Sequence, residues 1–332
     1  MVKNLLIDFN NLVSRSFFAV NEWDPDTRRE YIYQSIFYSL NILIQKFHPC
    51  ETHIFADSKS WRKSICETYK INRATVFADK PQDKILYDNI LRKLSDLFPK
   101  IVKNFYQCRD AETDDLISIF IEQHPDDINI IVSTDNDFNQ LVNENVQIYN
   151  PVSKRTVYMD RVLDENNNIL DFRIDSNGKI SVSGKGTPIN EVDNWPEFAL
   201  FIKTIRGDTS DNIFSAYPGV RMESKTRPCI LNAFKARKVK DYDWINFMQQ
   251  KWTDHEGQER LVEDCYNMND RLINLRNIDP VYKAQFIEYM NNHKQNEDSK
   301  RNRMMILNRF VILENLSRME EEINNYDSTL IA

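Results

Sequence analysis

Carboxylates recur at the ends of short apolar segments of this 332-residue chain. Three such segments lead into Asp8, into Asp57, and into the pair Asp135 and Asp137. Further acids stand at the start of an amphipathic pattern, DAETDDLISIFIEQ, and in IRGDTSDNI; they are Glu112, Asp114, Asp115, Asp208 and Asp211. Groups just beyond the carboxyl ends of parallel strands converge on one crevice in an open α/β sheet. We therefore expect these carboxylates to meet in one site.

Such a site has a defined chemistry. Several carboxylates held close together cannot all stay ionised unless a cation neutralises them. Oxygen ligands without His or Cys suit Mg²⁺ or Mn²⁺ rather than Zn²⁺. Two such ions about 3.5–4 Å apart can hydrolyse a phosphodiester. Asp135 and Asp137 could then serve separate ions, although any one of these acids could instead cap a helix or interact with its dipole.

Hydrophobic periodicity predicts the elements that position these acids. KNLLI, THIFA and NIIV are short continuous apolar runs, whereas residues 31–47 and 110–123 have apolar side chains at helical spacing. This alternation predicts an α/β fold with a mostly parallel central sheet flanked by helices. Beyond Trp195 the pattern is mainly helical. We therefore divide the chain into a larger domain, 1–205, and a smaller, mainly helical C-terminal domain, 206–332.

Three segments have patterns of their own. Residues 59–99 contain long helical patterns around a polar stretch. Residues 169–183 alternate with period two around Ser-Asn-Gly, so we expect a β-hairpin within an insertion at 161–190. Near the end, a packing helix is predicted by apolar residues at helical spacing, namely Ile306, Phe310, Leu313, Leu316, Met319 and Ile323.

Charge and composition limit the partners and the compartment. The net charge of −7 argues against a nucleic-acid partner, whose footprint is usually basic. Two basic segments, 59–73 and 221–240, nevertheless offer candidate phosphate contacts, or else solvated helix faces. The absence of CxxC pairs, of a signal peptide and of a membrane span predicts a cytoplasmic protein, in the host cytoplasm if it is viral. Nothing in the sequence indicates more than a monomer, so a monomer is the expected state. No glycine-rich nucleotide-binding motif occurs.

The ordered set of motifs resembles the flap endonuclease and 5′-to-3′ exonuclease family. The segments that carry this resemblance are LLIDFNN, IFADSKSWRK followed by YKINR, AETDDLI, IVSTDNDFNQL and IRGDTSDNI. Two later segments, VRMESKTRPCILNAF and YNMNDRLINLRNI, look most like the branch that contains the ribonuclease H of T-even bacteriophages. The resemblance implies the 5′ nuclease fold and a site with two Mg²⁺ ions, which Mn²⁺ can replace.

The resemblance also implies residue roles. Glu112 would act through water beside the ligands of the first ion, which would be Asp8, Asp57, Asp114 and Asp135. Asp115 would lie near the ligands of the second ion, which would be Asp137, Asp208 and Asp211. Tyr69 would stack on a terminal base, Lys70 would contact the scissile phosphate, and Arg73 would assist it. Further nucleic-acid contacts are predicted for basic residues of the two segments, namely Arg62, Lys63, Arg221, Lys225 and Arg227.

By the same resemblance, residues 59–99 would form a helical arch for single strands, and the region after Asp211 would contain a helix–three-turn–helix-like element that grips duplex DNA. The implied activity is 5′-to-3′ exonuclease and flap endonuclease cleavage of DNA duplexes with 5′ flaps or nicks and of RNA–DNA hybrids. The implied task is removal of RNA primers in phage replication, alongside a single-strand binding protein and a sliding clamp. Two alternatives are a phosphatase of the haloacid-dehalogenase type, although Asp8-Phe9-Asn10 lacks its second Asp, and a non-catalytic nucleic-acid-binding protein.

Overall fold

The computed structural model describes residues 1–22, 24–182, 184–226, 229–316 and 319; of Ala74 it describes the backbone alone. The strands are β1 (Lys3–Asp8), β2 (Glu51–Phe55), β3 (Asn104–Tyr106), β4 (Ile128–Val132), β5 (Val146–Asn150), β6 (Arg155–Val157), β7 (Val162–Leu163), β8 (Ile169–Leu170), β9 (Arg173–Ile174), β10 (Ile180–Ser181), β11 (Thr187–Pro188), β12 (Lys251–Thr253) and β13 (Glu259–Leu261). The helices are α1 (Phe9–Ala19), α2 (Pro25–Phe47), α3 (Pro81–Ile101), α4 (Thr113–Gln123), α5 (Trp195–Arg206), α6 (Ile230–Ala236), α7 (Tyr242–Met248), α8 (Val262–Ile273), α9 (Pro280–Asn291) and α10 (Lys300–Leu313).

An eight-stranded sheet lies at the centre, in the order β3-β2-β1-β4-β5-β6-β7-β8. Its first five strands are parallel, and β6 to β8 join antiparallel at one edge. The predicted mostly parallel sheet is therefore confirmed, and the three apolar runs are the neighbouring strands β2, β1 and β4. Their sequences are continuously apolar because helices cover both faces of the sheet.

Two hydrophobic core clusters lie on the two faces of this sheet. Leu6 of β1 belongs to one cluster, whereas Leu5 and Ile7 belong to the other, as the alternation of side chains along a strand requires. The Leu6 cluster continues without a break to residues such as Phe286, so it contains side chains from both sides of the predicted boundary at 205/206. The C-terminal helices therefore share a core with the sheet.

The predicted C-terminal packing helix corresponds to α10, which packs against α3. Its buried residues include Leu307 and Val311, while Leu313 is 71% exposed, so the contacting face is turned slightly from the one the spacing predicted. Of the predicted residues, Ile323 lies outside the described part of the chain. Among the described residues, no helix is both long and apolar enough to span a bilayer.

The segment predicted as the arch consists of turns and a helix, and the predicted insertion contains short antiparallel strands. Residues 59–99 form two short 3-10 turns, Trp61–Ser64 and Ile71–Thr75, followed by most of α3. In the insertion, the alternating segment forms the antiparallel pair β9–β10 with Ser-Asn-Gly at its tip, and β11 pairs with the other side of β9. Ile169–Leu170 is instead β8, the last strand of the main sheet.

Candidate metal centre

The first carboxylate cluster lies at the carboxyl edge of the parallel sheet. Asp8 ends β1, Asp57 follows β2, and Asp135 follows β4, so three neighbouring strands deliver one acid each. Glu112 and Asp114 stand at the start of α4 and line the same cleft of about 250 Å³. The structure thus brings together the five residues that were predicted for the first ion.

Local hydrogen bonds orient these carboxylates. Asp8 is the N-cap of α1: its Oδ1 accepts from the Asn11 amide at 3.0 Å, while its Oδ2 accepts from Ser133 Oγ at 2.9 Å. The Thr113 amide donates to Asp57 Oδ1 at 2.8 Å. Asp8 therefore caps a helix, as the alternative explanation predicted. The same hydrogen bonds hold its carboxylate at the cleft, so capping does not exclude a role in metal binding.

The cleft holds several carboxylates close together in a partly desolvated environment. Burial, and then the neighbouring Asp57, raises the pKa of Asp8 to about 7. Desolvation by the surrounding protein, and then repulsion from Asp137, raises the pKa of Asp135 to about 7, although part of the Asp135 side chain is exposed. Burial likewise raises the pKa values of Asp57 and Asp114. Hard oxygen donors that resist ionisation side by side fit a divalent cation, because its charge would offset their repulsion.

A second cluster combines Asp137 with Asp208 and Asp211, whose ligand atoms lie within 4.8 Å of one another. Asp137 belongs to the 3-10 turn Asn136–Leu141 that follows β4, and the other two belong to the turn after α5. This grouping matches the predicted ligand set of the second ion.

Lys203 of α5 was missed by the sequence reasoning. Its ammonium pairs with Asp137 and lies 2.7 Å from Asp208 Oδ2. Although burial opposes the shift, Lys203 lowers the pKa of Asp208 to about 2. The available signal was a single lysine in the apolar helix segment FALFIKTI, five residues before Asp208. Lys203 thus places a positive charge against two acids of the second cluster.

Arg62 pairs with Asp115 and requires a correction of its predicted role. Both oxygens of the fully buried Asp115 accept hydrogen bonds from Arg62, at 2.9 Å and 3.0 Å, and Trp61 Nε1 also donates at 3.2 Å. Arg62 is 1% exposed and also donates to Glu112 and to the Leu272 carbonyl. Asp115 groups with Glu112 and Asp114, whose carboxylate oxygens lie within 4.8 Å of its own, so its part in metal binding stays a prediction. Arg62 cannot contact nucleic acid from this buried position. Together Arg62 and Asp115 position Glu112.

Tyr69 is also placed differently from the prediction. The residue is 2% exposed, and its hydroxyl lies 3.1 Å from Glu112 Oε2 and 3.2 Å from Asp211 Oδ2. With its ring enclosed, Tyr69 has no free face on which a base could stack. Its hydroxyl instead connects an acid of the first cluster with an acid of the second.

Lys70 and Arg73 do line the cleft beside the first cluster. Lys70 pairs with Glu112, and Arg73 lies 2.9 Å from Asp211 while its side chain is 52% exposed. Although burial opposes both shifts, Lys70 and Arg62 lower the pKa of Glu112 to about 2, and Glu112 and Asp211 raise the pKa of Lys70. The cleft therefore contains fixed cations beside its carboxylates.

The remaining basic candidates lie away from these clusters. Lys63, Arg221 and Lys225 are exposed, and neither Arg221 nor Lys225 lines the cleft that contains Asp8. Arg227 lies outside the described residues.

Comparisons with known proteins give one family match and several similar folds. Residues 3–167 match the family model described as the 5′-3′ exonuclease, N-terminal resolvase-like domain. The fold is similar to that of the bacteriophage T5 D15 protein co-crystallised with metal ions, with a TM-score of 0.55, 18% identity, and coverage of 97% of this chain and 98% of that chain. A variant of the T5 D15 flap endonuclease in a complex with DNA and metal ions gives a TM-score of 0.57 at 16% identity, covering 98% and 99%. The predicted special likeness to the T-even ribonuclease H stays a prediction.

Proposed function

We propose that this chain, which belongs to the flap endonuclease and 5′-3′ exonuclease family, is a Mg²⁺-dependent, structure-specific 5′ nuclease. Its proposed substrates are DNA duplexes with 5′ flaps or nicks and RNA–DNA hybrids, and its proposed task is the removal of RNA primers in phage DNA replication. One observation carries the proposal: carboxylates from three neighbouring strands and from the start of α4 meet in a cleft that also contains Lys70 and Arg73.

The two carboxylate clusters divide the proposed metal binding. The first ion would be held by Asp8, Asp57, Asp114 and Asp135, and the second by Asp137, Asp208 and Asp211. When bound, such a pair of ions supplies activation of the attacking water and neutralises charge on the leaving oxygen. Mg²⁺ is the proposed ion, and Mn²⁺ can replace it, because every donor is a carboxylate oxygen.

Lys70 and Arg73 would orient the scissile phosphate. The Lys70 backbone has φ 58°, and its amide donates to the Asp211 carbonyl at 2.8 Å, which ties this residue to the second cluster. A preorganised ammonium is worth more than a mobile one, because no reorganisation is needed as charge develops on the phosphate. Arg73 adds a half-exposed guanidinium that can bind a phosphate through two hydrogen bonds.

The phosphatase alternative is less well supported by the first motif. A two-Asp motif would need an acid at position 10, where this chain has Asn10, and the Asn10 side chain accepts from the Asp57 amide at 3.0 Å. Asn10 therefore orients a neighbouring acid and offers no second carboxylate.

Cleavage of a 5′-labelled flap and of an RNA–DNA hybrid, with and without Mg²⁺, tests the proposal. We expect Mg²⁺-dependent cleavage by the wild type and losses of at least a hundredfold for Asp135→Ala, Asp137→Ala and Lys70→Ala, in keeping with the usual cost of removing one electrostatic contact. Lys251→Ala is the matched control, because Lys251 pairs with Glu259 on the β12–β13 hairpin, outside the cleft. Full activity of the aspartate variants, or no cleavage by the wild type, would overturn the proposal.

A further inference from the structure

A second concavity adjoins the second carboxylate cluster. It has a volume of about 290 Å³, and its lining includes Asp137, Asp208 and Lys203 together with Arg206 and residues 177–179 of the β9–β10 hairpin. The hairpin belongs to the insertion at 161–190, for which neither the motifs nor the two-metal site supplies a role. Its tip therefore forms one wall of a pocket whose other wall is the candidate metal centre.

The hairpin tip is seated closely on α5. Gly178 has φ +77°, and a Cβ atom there would lie 2.4 Å from the carbonyl oxygen of Ala199. The Arg206 side chain donates from Nε to the Ser176 carbonyl at 3.3 Å. At the base of the hairpin, Phe172 packs edge-on against Trp195, the first residue of α5. The wall is thus built by backbone contacts that only glycine allows at this position.

The cations of this pocket are unevenly paired. Lys203 is paired with Asp137 and Asp208, and the partly buried Arg237 is paired with Glu197. For Arg206 and Lys179, no carboxylate lies within 4.0 Å in the part of the chain that the structure describes. Arg206 is partly buried and Lys179 is exposed. A partly desolvated guanidinium without a counterion is suited to bind an anion.

We propose that Arg206 and Lys179 form a subsite for a second phosphodiester of the bound nucleic acid, one that lies beside the second carboxylate cluster and is not cleaved. The proposal rests on the proposed nuclease function. The guanidinium of Arg206 would bind this phosphate in a fixed geometry, and Lys179, presented by the hairpin tip, would approach it from the opposite wall. The insertion would thereby help to hold the strand in register with the cleft.

A purely structural role for Arg206 is the competing explanation. Arg206 is the last residue of α5, where a positive charge stabilises the end of the helix dipole, and its hydrogen bond to Ser176 helps to dock the hairpin. A structural role would affect the stability of the fold. A phosphate contact would also affect the salt dependence of binding, since each neutralised phosphate adds about 0.9 to the slope of log K against log[salt] for duplex DNA.

The test measures binding of a fluorescent 5′-flap duplex to the full chain in Ca²⁺ between 50 and 200 mM KCl. For Arg206→Ala we expect weaker binding and a slope smaller by about 0.9, so that the ratio of variant to wild-type Kd shrinks about threefold to fourfold over this range. Arg206→Lys should keep most of the slope because it keeps the charge. Lys179→Ala should also lower the slope, and its exposed position avoids a folding defect.

Arg161→Ala is the matched control, because Arg161 lies in the same insertion but pairs with the adjacent Asp160 and does not line the pocket. Its slope should equal that of the wild type. If the wild type binds and cleaves the flap but both Arg206→Ala and Lys179→Ala keep the full slope, the subsite is wrong while the nuclease function stands. If the wild type neither binds nor cleaves nucleic acid, both proposals fail.

Discussion

Replacement of Arg62 by methionine tests the buried network beneath the candidate metal centre. Arg62 and Asp115 are 1% and 0% exposed, and the guanidinium donates to Asp115, to Glu112 and to the Leu272 carbonyl. Arg62→Met leaves Asp115 as a buried carboxylate without its counterion, whereas Glu112 keeps Lys70 as a partner. Breaking a buried ion pair by removing one partner costs about 3–5 kcal/mol, so we expect a loss of this size in the free energy of unfolding.

A second substitution isolates the charge effect. In Arg62→Met combined with Asp115→Leu, both charges are gone, and apolar replacement of a whole buried pair is often neutral. The Trp61 indole and the Glu112 amide would still lose their acceptor, which leaves a residual cost of about 1–3 kcal/mol. The double variant should therefore be more stable than Arg62→Met alone.

Urea unfolding followed by tryptophan fluorescence measures these differences. With a slope of about 3 kcal/mol/M, the single variant should shift the midpoint by about 1–1.7 M. Salt dependence of binding to a flap duplex should be unchanged in the folded single variant, because Arg62 contacts no phosphate. The reasoning is refuted if Arg62→Met loses less than about 1 kcal/mol, or if its salt slope falls as it would for a lost phosphate contact.

Three further outcomes follow from the site. Without divalent ions, the folded state should lose stability as the pH rises from about 4 to about 7. The reason is that Asp8 in the folded protein keeps its proton up to a pKa of about 7, whereas the unfolded residue releases it near 3.8. Thermal unfolding in EDTA across this pH range checks the sign, and a rise in stability would contradict it. Lys203→Met should tighten Mn²⁺ binding at the second cluster about tenfold, or about 1.4 kcal/mol, because the ammonium that competes with the ion is lost. A Mn²⁺ titration measures the affinity, with Lys251→Met as the control. Weaker Mn²⁺ binding by Lys203→Met would contradict the prediction. Tyr69→Phe should lower the free energy of unfolding by about 1–2 kcal/mol, because Glu112 and Asp211 lose a shared hydroxyl; an unchanged urea midpoint would show that the hydroxyl bond contributes little.

The sequence alone was sufficient for the neighbouring parallel strands β1, β2 and β4 and for the acids that follow them. Continuous apolar runs identify buried parallel strands, and an acid just after such a run must lie at the carboxyl edge of the sheet. Asp8, Asp57 and Asp135 were placed correctly for this reason, since strand periodicity and strand direction are both local properties of the chain.

The tertiary structure alone decided what the other polar residues contact. The motif SWRKSICETYK contains Arg62 and Tyr69 as well as Lys70, and nothing in the spacing separates the two buried residues from the lysine that lines the cleft. Arg62 is buried because Asp115 and the Leu272 carbonyl, distant in sequence, are packed around it. Lys203 and the hairpin tip reach the second cluster through the packing of α5. Periodicity predicts which element a residue belongs to, but pairing between distant charges depends on how those elements pack.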